Sequence, residues 1–191
     1  MTTSATTPSA EPRPLRADAR RNRERILDAG RKAFTASGRD VQMDEVARLA
    51  GVGVGTLYRH FPTKDDLVRE LVRESVEACH ESARQALDRE DGAEAIEWLV
   101  HENAANMARN RGLRDAMNAT DFGDENPWNT DEARSRAEAV LERARAAGAI
   151  RPDITVDDWQ ALMCGLSASI ASGADADRHA ELVLGALRAT S

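Results

Sequence analysis

Apolar positions recur at intervals of three and four residues through most of the chain, and no run alternates with the period of two that a half-buried strand requires. The pattern predicts an all-α protein of about nine helices. The first covers Asp18 to Ser37, with Ile26, Ala29, Ala33 and Phe34 as its inward stripe, Leu27 widening it, and Gly38 placed to end it in a left-handed cap. Met43, Val46, Ala47 and Ala50 mark a short second helix. Gly51-Val52-Gly53 marks a turn, and Leu57 and Phe61 mark the inward side of a third helix, Val54 to His60. Pro62 ends that pattern. Thr63, with Asp66 three residues on, caps a long fourth helix from Lys64 to about Asp88, roughly 37 Å at 1.5 Å per residue.

Asp91 opens a fifth helix that runs to Asn110, and Leu113 to Ala119 forms a shorter sixth. Thr120 to Thr130, with Gly123, Pro127 and several Asp and Asn, reads as a loop. Helices over Asp131 to Ala147, Val156 to Ser172 and Asp175 to Ala189 complete the chain, with Gly148, the Arg151-Pro152-Asp153 turn and Gly173 between them. Thr155 and Asp158 repeat the capping pair of Thr63 and Asp66. Residues 1–17, polar and carrying Pro8, Pro12 and Pro14, are expected to form a disordered arm whose Arg13 and Arg16 either reach a phosphate or the minor groove or stay solvated. The expected domains are 18–70 and 71–191.

Two short helical patterns around a glycine turn, followed by a proline-interrupted start of a longer helix, are the layout of a helix-turn-helix DNA reader. Its exposed positions are Val54, Thr56, Arg59 and His60, with Tyr58 at the edge. Val54 can meet a thymine methyl, Thr56 can do the same or hydrogen-bond, and Arg59 can reach a guanine edge or a backbone oxygen. Lys64, in a helix first turn with free backbone donors, suits a phosphate. Tyr58 can donate its hydroxyl there or pack, and His60 can donate or close the helix end. Arg20, Arg21, Arg23 and Arg25 crowd the start of the first helix, where acids are preferred. They need an anion, either phosphate or the nearby Asp18, Glu24 and Asp28.

The run DEVARLAGVGVGTLYRHFPTKDDL (Asp44 to Leu67), with RNRERILDAGRKAF (Arg21 to Phe34) before it, resembles the TetR family of bacterial transcription regulators. The resemblance is specific over about 50 residues; beyond them it rests on helix count and on Arg151-Pro152-Asp153-Ile154. It implies a homodimer whose first three helices read double-stranded DNA and whose later helices bind a small effector and form the dimer. Gly51-Val52 match the family's turn, Gly53 and Val54 the first positions of its recognition helix, and Thr56 a DNA-facing residue. Leu57 and Phe61 match core positions, Tyr58 and His60 phosphate-facing ones, and Lys64 the basic start of the fourth helix. Gln42 departs from the usual Thr or Ser; it caps poorly, though its amide can still donate to a phosphate. Gly53 and Val54 replace commoner polar residues and leave fewer base readers. Gly30 stands where Ala is usual, at about 1 kcal/mol of helix propensity.

The net charge of −7 argues against nucleic acid until it is divided. Residues 1–73 hold 14 Lys and Arg against 10 Asp and Glu; the remainder hold 12 against 23. A basic front and an acidic back suit DNA at one end and solvent, partner or ligand at the other. No apolar run is long enough to span a membrane, the first residues make a poor secretion signal, and two distant cysteines suit a reduced, cytoplasmic protein. No cofactor, metal spacing or nucleophile–base pair is expected.

Trp98 and His101 fall near one face of the fifth helix, and Val100, Asn103, Met107 and Asn110 form another. Amides on a buried stripe need partners. A pocket for a small-molecule effector, completed by Met117, Phe122, Trp128 and Met163, is one way to supply them; capping nearby helix ends is another. Ala161, Gly165, Leu166 and Ser169, with Leu182, Leu184, Gly185 and Leu187 and with Trp159 at the rim, form either the dimer interface or ordinary intrachain core. The expected function is a repressor released from a palindromic operator by a small molecule. The alternative is a helical ligand-binding or partner-binding protein that does not use its DNA head, and an enzyme is a distant third.

Overall fold

The computed structural model describes residues 13–120, 128 and 130–188. Among them are nine α-helices, a 3₁₀ turn over Gly38–Asp40 and no strand. Helix α1 spans Arg13–Ser37, so residues 13–17 of the expected arm are helical, with Pro14 in the first turn where its missing N–H breaks no bond. The rest of that arm, most of the 120–130 loop and Ala189 lie outside the described residues.

Two cores stack along one long helix. The first joins Ile26, Leu27 and Phe34 of α1 to Val46 of α2 (Met43–Ala50), Leu57 of α3 (Val54–His60), and Leu67, Val68, Leu71 and Val72 of α4 (Lys64–Leu87). The second takes the far end of α4 at Ala86. It packs that end with α5 (Gly92–Arg109), α7 (Asp131–Ala146), α8 (Val156–Ala171) and α9 (Ala176–Leu187). Each fully buried large side chain removes enough apolar surface to contribute about 1.5–3 kcal/mol.

Helix ends are secured as the sequence implies. Thr63 accepts from the Asp66 backbone N–H at 3.1 Å while the Asp66 carboxylate accepts from the Thr63 N–H at 3.0 Å, and Thr155 with Asp158 forms the same box at α8. The Thr63 hydroxyl, first among its partners, holds the Asp66 carboxyl below the usual carboxylate range. Arg143 of α7 donates to the carbonyls of Leu87, Arg89 and Glu90, satisfying the C-terminal end of α4 and fixing the α4–α5 turn.

Helix α6 (Leu113–Ala119) follows α5 in the chain, yet Leu113 and Ala116 are buried in the first core. Gly112, at its start, lies so close to the Phe34 carbonyl and the Thr35 backbone that a β-carbon there would overlap them. Those atoms are main chain at the end of α1 and cannot swing aside. Gly112→Ala is therefore expected to cost about 1–3 kcal/mol, read as a lower urea midpoint. Gly55→Ala, whose β-carbon meets nothing within 4 Å, should raise the midpoint by up to about 1 kcal/mol through helix propensity.

Candidate nucleic-acid interface and ligand cavity

The turn between α2 and α3 is closed from both sides. Gly51 sits at φ 62°, ψ 38°, the left-handed conformation that a side chain resists, and the Val52 N–H reaches back to the Ala47 carbonyl at 3.1 Å. Arg25 of α1 donates to the Gly51 carbonyl at 3.1 Å. This is one of several internal roles for the basic cluster. Arg21 pairs with Asp18, Arg20 approaches Glu24, and Arg23 pairs with Glu70 while lying over the Phe61 ring at 5.7 Å. The Arg73 and Arg23 guanidiniums together hold the Glu70 carboxyl below its ordinary range. Asp18 and Glu24 thus pair with the cluster as the local alternative expects, while Asp28 pairs with Arg31 and Glu70 comes from α4.

The fold sets α3 with Leu57 fully buried and with Val54 and Tyr58, one turn apart, 42% and 44% exposed. Leu49 of α2 is 44% exposed as well. Gln42, Gly53 and Arg59 are exposed, and Thr56, His60 and Lys64 are half-buried. Gln42 makes no side-chain cap; its amide donates to the Asp40 carbonyl at 2.9 Å. Arg59 folds along its own helix to the Gly55 carbonyl at 3.3 Å. The Lys64 ammonium lies over the Phe34 ring at 5.9 Å, which positions it at the joint of α1 and α4.

A cavity of about 380 Å³ opens among α4 to α8. Asn103, Met107, Asn110, Met117, Trp128 and Met163 line it; Phe122 lies outside the described residues. Asn110 donates to Ser75 Oγ at 3.4 Å and to Asn106 Oδ1 at 2.8 Å, and Asn106 in turn donates to Cys79 Sγ at 3.6 Å. Trp98 and His101 are corrections. Trp98 carries the Arg89 guanidinium 4.2 Å above its ring, His101 is bonded to Glu181 of α9 at 3.1 Å, and neither lines the cavity. Glu97, four residues before His101 on the same helix face, joins His101 and Glu181 in placing three ligand-type atoms within 4.8 Å of one another.

Residues that sequence reasoning missed come mainly from α4, α6 and α7: Ser75, His80, Arg114 and Arg136. Asn106 was within reach, since Asn103, Asn106 and Asn110 keep one helical face.

The α8–α9 surface divides in the same way. Trp159, Leu166, Leu184 and Leu187 are buried in the intrachain core, because their own neighbours on α5 and α7 already cover them, and Trp159 also lines the cavity. Ala161, Gly165 and Gly185 are exposed, Ser169 is half-buried, and Leu182 is 52% exposed.

Residues 26–71 match the model of bacterial regulatory proteins of the tetR family, and residues 91–189 match that of the SbtR-like transcriptional regulator C-terminal domain. A TetR transcription regulatory protein of Mycobacterium vanbaalenii is 34% identical, with a TM-score of 0.69 over 92% of this chain and 100% of that one. A TetR transcriptional regulator of Streptomyces coelicolor is 31% identical, with a TM-score of 0.66 over 88% and 99%. An HTH-type transcriptional regulator of Staphylococcus aureus is 38% identical over 64 residues, 33% of this chain and 35% of that protein. The chain thus spans about a third of the length of the curated relatives it matches.

The two cysteines differ in setting. Burial pushes the Cys79 thiol up to about 11, whereas Cys164 is exposed on α8. Iodoacetamide at pH 8 should therefore modify Cys164 and leave Cys79 intact until urea unfolds the chain, as read by peptide mass spectrometry.

Proposed function

The chain belongs to the TetR family of bacterial regulatory proteins, and from that premise we propose that it is a homodimeric, ligand-responsive, DNA-binding transcriptional regulator. In this reading it is a repressor, released from a palindromic operator when a small molecule enters the cavity. The observation that carries the reading is the clamped helix-turn-helix. With Leu57 anchored and Arg25 holding the turn, α3 projects Val54 and Tyr58 outward as a rigid unit. Thr56, Arg59 and His60 on the same helix, Gln42 and Gly53 before it and Lys64 after it supply the remaining base and phosphate contacts.

One such unit makes few contacts, and pairing two on half-sites about 34 Å apart raises both affinity and specificity. The outward residues Ala161, Gly165, Ser169, Leu182 and Gly185 are the proposed pairing surface. Leu182→Glu should convert the dimer to monomer in sedimentation velocity, with little effect on the thermal unfolding of the subunit, since this side chain is already 52% exposed.

Release follows from how α6 is held. Leu113 and Ala116 are buried against the DNA-reading core, and Arg114 and Met117 on the same short helix line the cavity. A ligand that displaces α6 moves the end of α1 and the long α4, and with them the spacing of the two heads. A difference of about 1–3 kcal/mol in ligand affinity between the two arrangements is a typical allosteric coupling.

The internal pairing of the basic cluster favours a second reading, in which the chain binds ligands or partners without using its head. Selection from a random duplex library, with binding repeated across a salt series, separates the two. The regulator enriches a palindrome, and its affinity falls steeply as salt rises. Absence of any salt-sensitive duplex binding, with and without ligand, puts the second reading ahead.

A further inference from the structure

We propose that Glu97, His101 and Glu181 form a zinc site that staples α5 to α9, with Asp177 steering the imidazole from its other side. None of the four residues lines the cavity, and the site stands independently of the regulator reading.

The chain supplies these side chains as two pairs, each four residues apart: Glu97 with His101 on α5, and Asp177 with Glu181 on α9. Residues at that spacing share one face of a helix. Packing then brings the two faces together across 80 positions of sequence. Val100 and Ala104 of α5 and Ala180 and Leu184 of α9 are buried in one core. The helices that carry the ligands are therefore fixed relative to each other before any ion arrives.

One donor atom from each of Glu97, His101 and Glu181 lies within 4.8 Å of the other two. His101 Nε2 stands 3.1 Å from Glu181 Oε1. Ligand atoms bound to a tetrahedral zinc at about 2.0–2.2 Å are about 3.3–3.6 Å from one another. Small side-chain rotations therefore admit the ion, and Glu97 and Glu181 are exposed and have room for them. Asp177 Oδ1 lies 4.0 Å from Nδ1, the opposite ring nitrogen. A carboxylate on that side draws the ring proton to Nδ1 and leaves the Nε2 lone pair for a metal, the usual support of a zinc-bound histidine. A hydrogen bond between His101 and Glu181 needs neither Glu97 nor Asp177. Carboxylates converging on one imidazole repel each other, and a dication between them offsets that repulsion.

The donor set selects the ion. Carboxylates alone would suit magnesium or calcium, which prefer shells built of oxygen. An imidazole among them favours zinc and its first-row neighbours. Both cysteines line the cavity instead, so the set is one nitrogen and two carboxylates. Three protein ligands leave the fourth zinc position to water. The same α5 presents Asn103 and Met107 to the cavity, and α9 carries the exposed Leu182. An ion at this joint ties the cavity wall to the outermost helix of the second core.

The test is titration of the full chain, stripped with chelator, with ZnCl2, read by calorimetry and by thermal unfolding. One zinc per chain should bind, and the unfolding midpoint should rise with zinc concentration and fall back on addition of EDTA. MgCl2 should bind more weakly by about tenfold or more. His101→Ala, Glu97→Gln and Glu181→Gln should each weaken zinc by about tenfold or more, and Asp177→Asn by less. The two glutamate variants change exposed side chains, so they decide the matter even if His101→Ala fails to fold. His179→Ala, on the α8 side of α9, should leave zinc affinity unchanged. Cobalt(II) in place of zinc should give ligand-field bands with no thiolate charge-transfer band. Absence of zinc binding, or folded Glu97→Gln and Glu181→Gln variants with undiminished affinity, overturns the proposal. So does magnesium bound as tightly as zinc, a thiolate band that assigns the ion to a cysteine, or half a zinc per chain, which would place the ion between two copies.

Discussion

Helix α4 cannot settle into one core without fixing its place in the other. Leu67, Leu71 and Val72 bury its first turns beneath α1 to α3, Ala86 buries its last turns among α5 and α7, and Arg143 holds the carbonyls at its end. A helix of 24 residues is stiff over this length, so the two cores share one rigid strut. Ion pairs from α1 to its flank, Arg23 with Glu70 and Arg31 with Glu74, oppose rotation about its axis. Partly exposed, they contribute little to stability; their effect is on orientation. Helix α6 adds a second link, short and packed backbone to backbone at Gly112.

The same economy of contacts explains the basic cluster. By sequence, Arg20 to Arg25 look like phosphate ligands because they fall at the expected start of the first helix, where cations are disfavoured; with α1 beginning at Arg13 they lie in its interior turns. In the fold, Arg25 secures the Gly51 carbonyl and Arg23 divides itself between Glu70 and the Phe61 ring. These contacts hold the turn and the base of α3 in place. The basic cluster thus stiffens the reading head, and the outward side of α3 and its flanks is the surface proposed above for the duplex.

Much of this was legible in sequence because it is local. Caps at Thr63 and Thr155, the left-handed Gly51 and the helical stripes depend on residues within a few positions of one another. What was not legible depends on docking. Leu113 and Ala116 would suit either core, and only the fold assigns them to the first. Period alone could not say that Leu166, Leu184 and Leu187 face inward while Leu182 and Gly185 face out, since both sides of α9 carry apolar residues. Trp98 and His101 look like pocket residues by type; Arg89 and Glu181 claim them from elements that sequence distance does not connect. Arg114 went unnoticed because its partner among the described residues, Ser167, lies 53 positions away on α8, which no pattern in the chain reveals.

The place of Arg114 bears on how a signal would travel. Most of the cavity wall belongs to α4, α5 and α8, which are held on several sides. Arg114 belongs to α6, a helix of seven residues whose other side is packed into the head. A charge bound at Arg114 acts two residues from Gly112, where the chain presses on the end of α1. A ligand held only by the apolar wall would stabilise both arrangements of the head about equally and shift neither, however tightly it bound. One that engages α6 has a differential interaction with the element that must move. In the proposed dimer two coupled heads would magnify the result, because a change in spacing too small to weaken either half-site alone would abolish their simultaneous engagement.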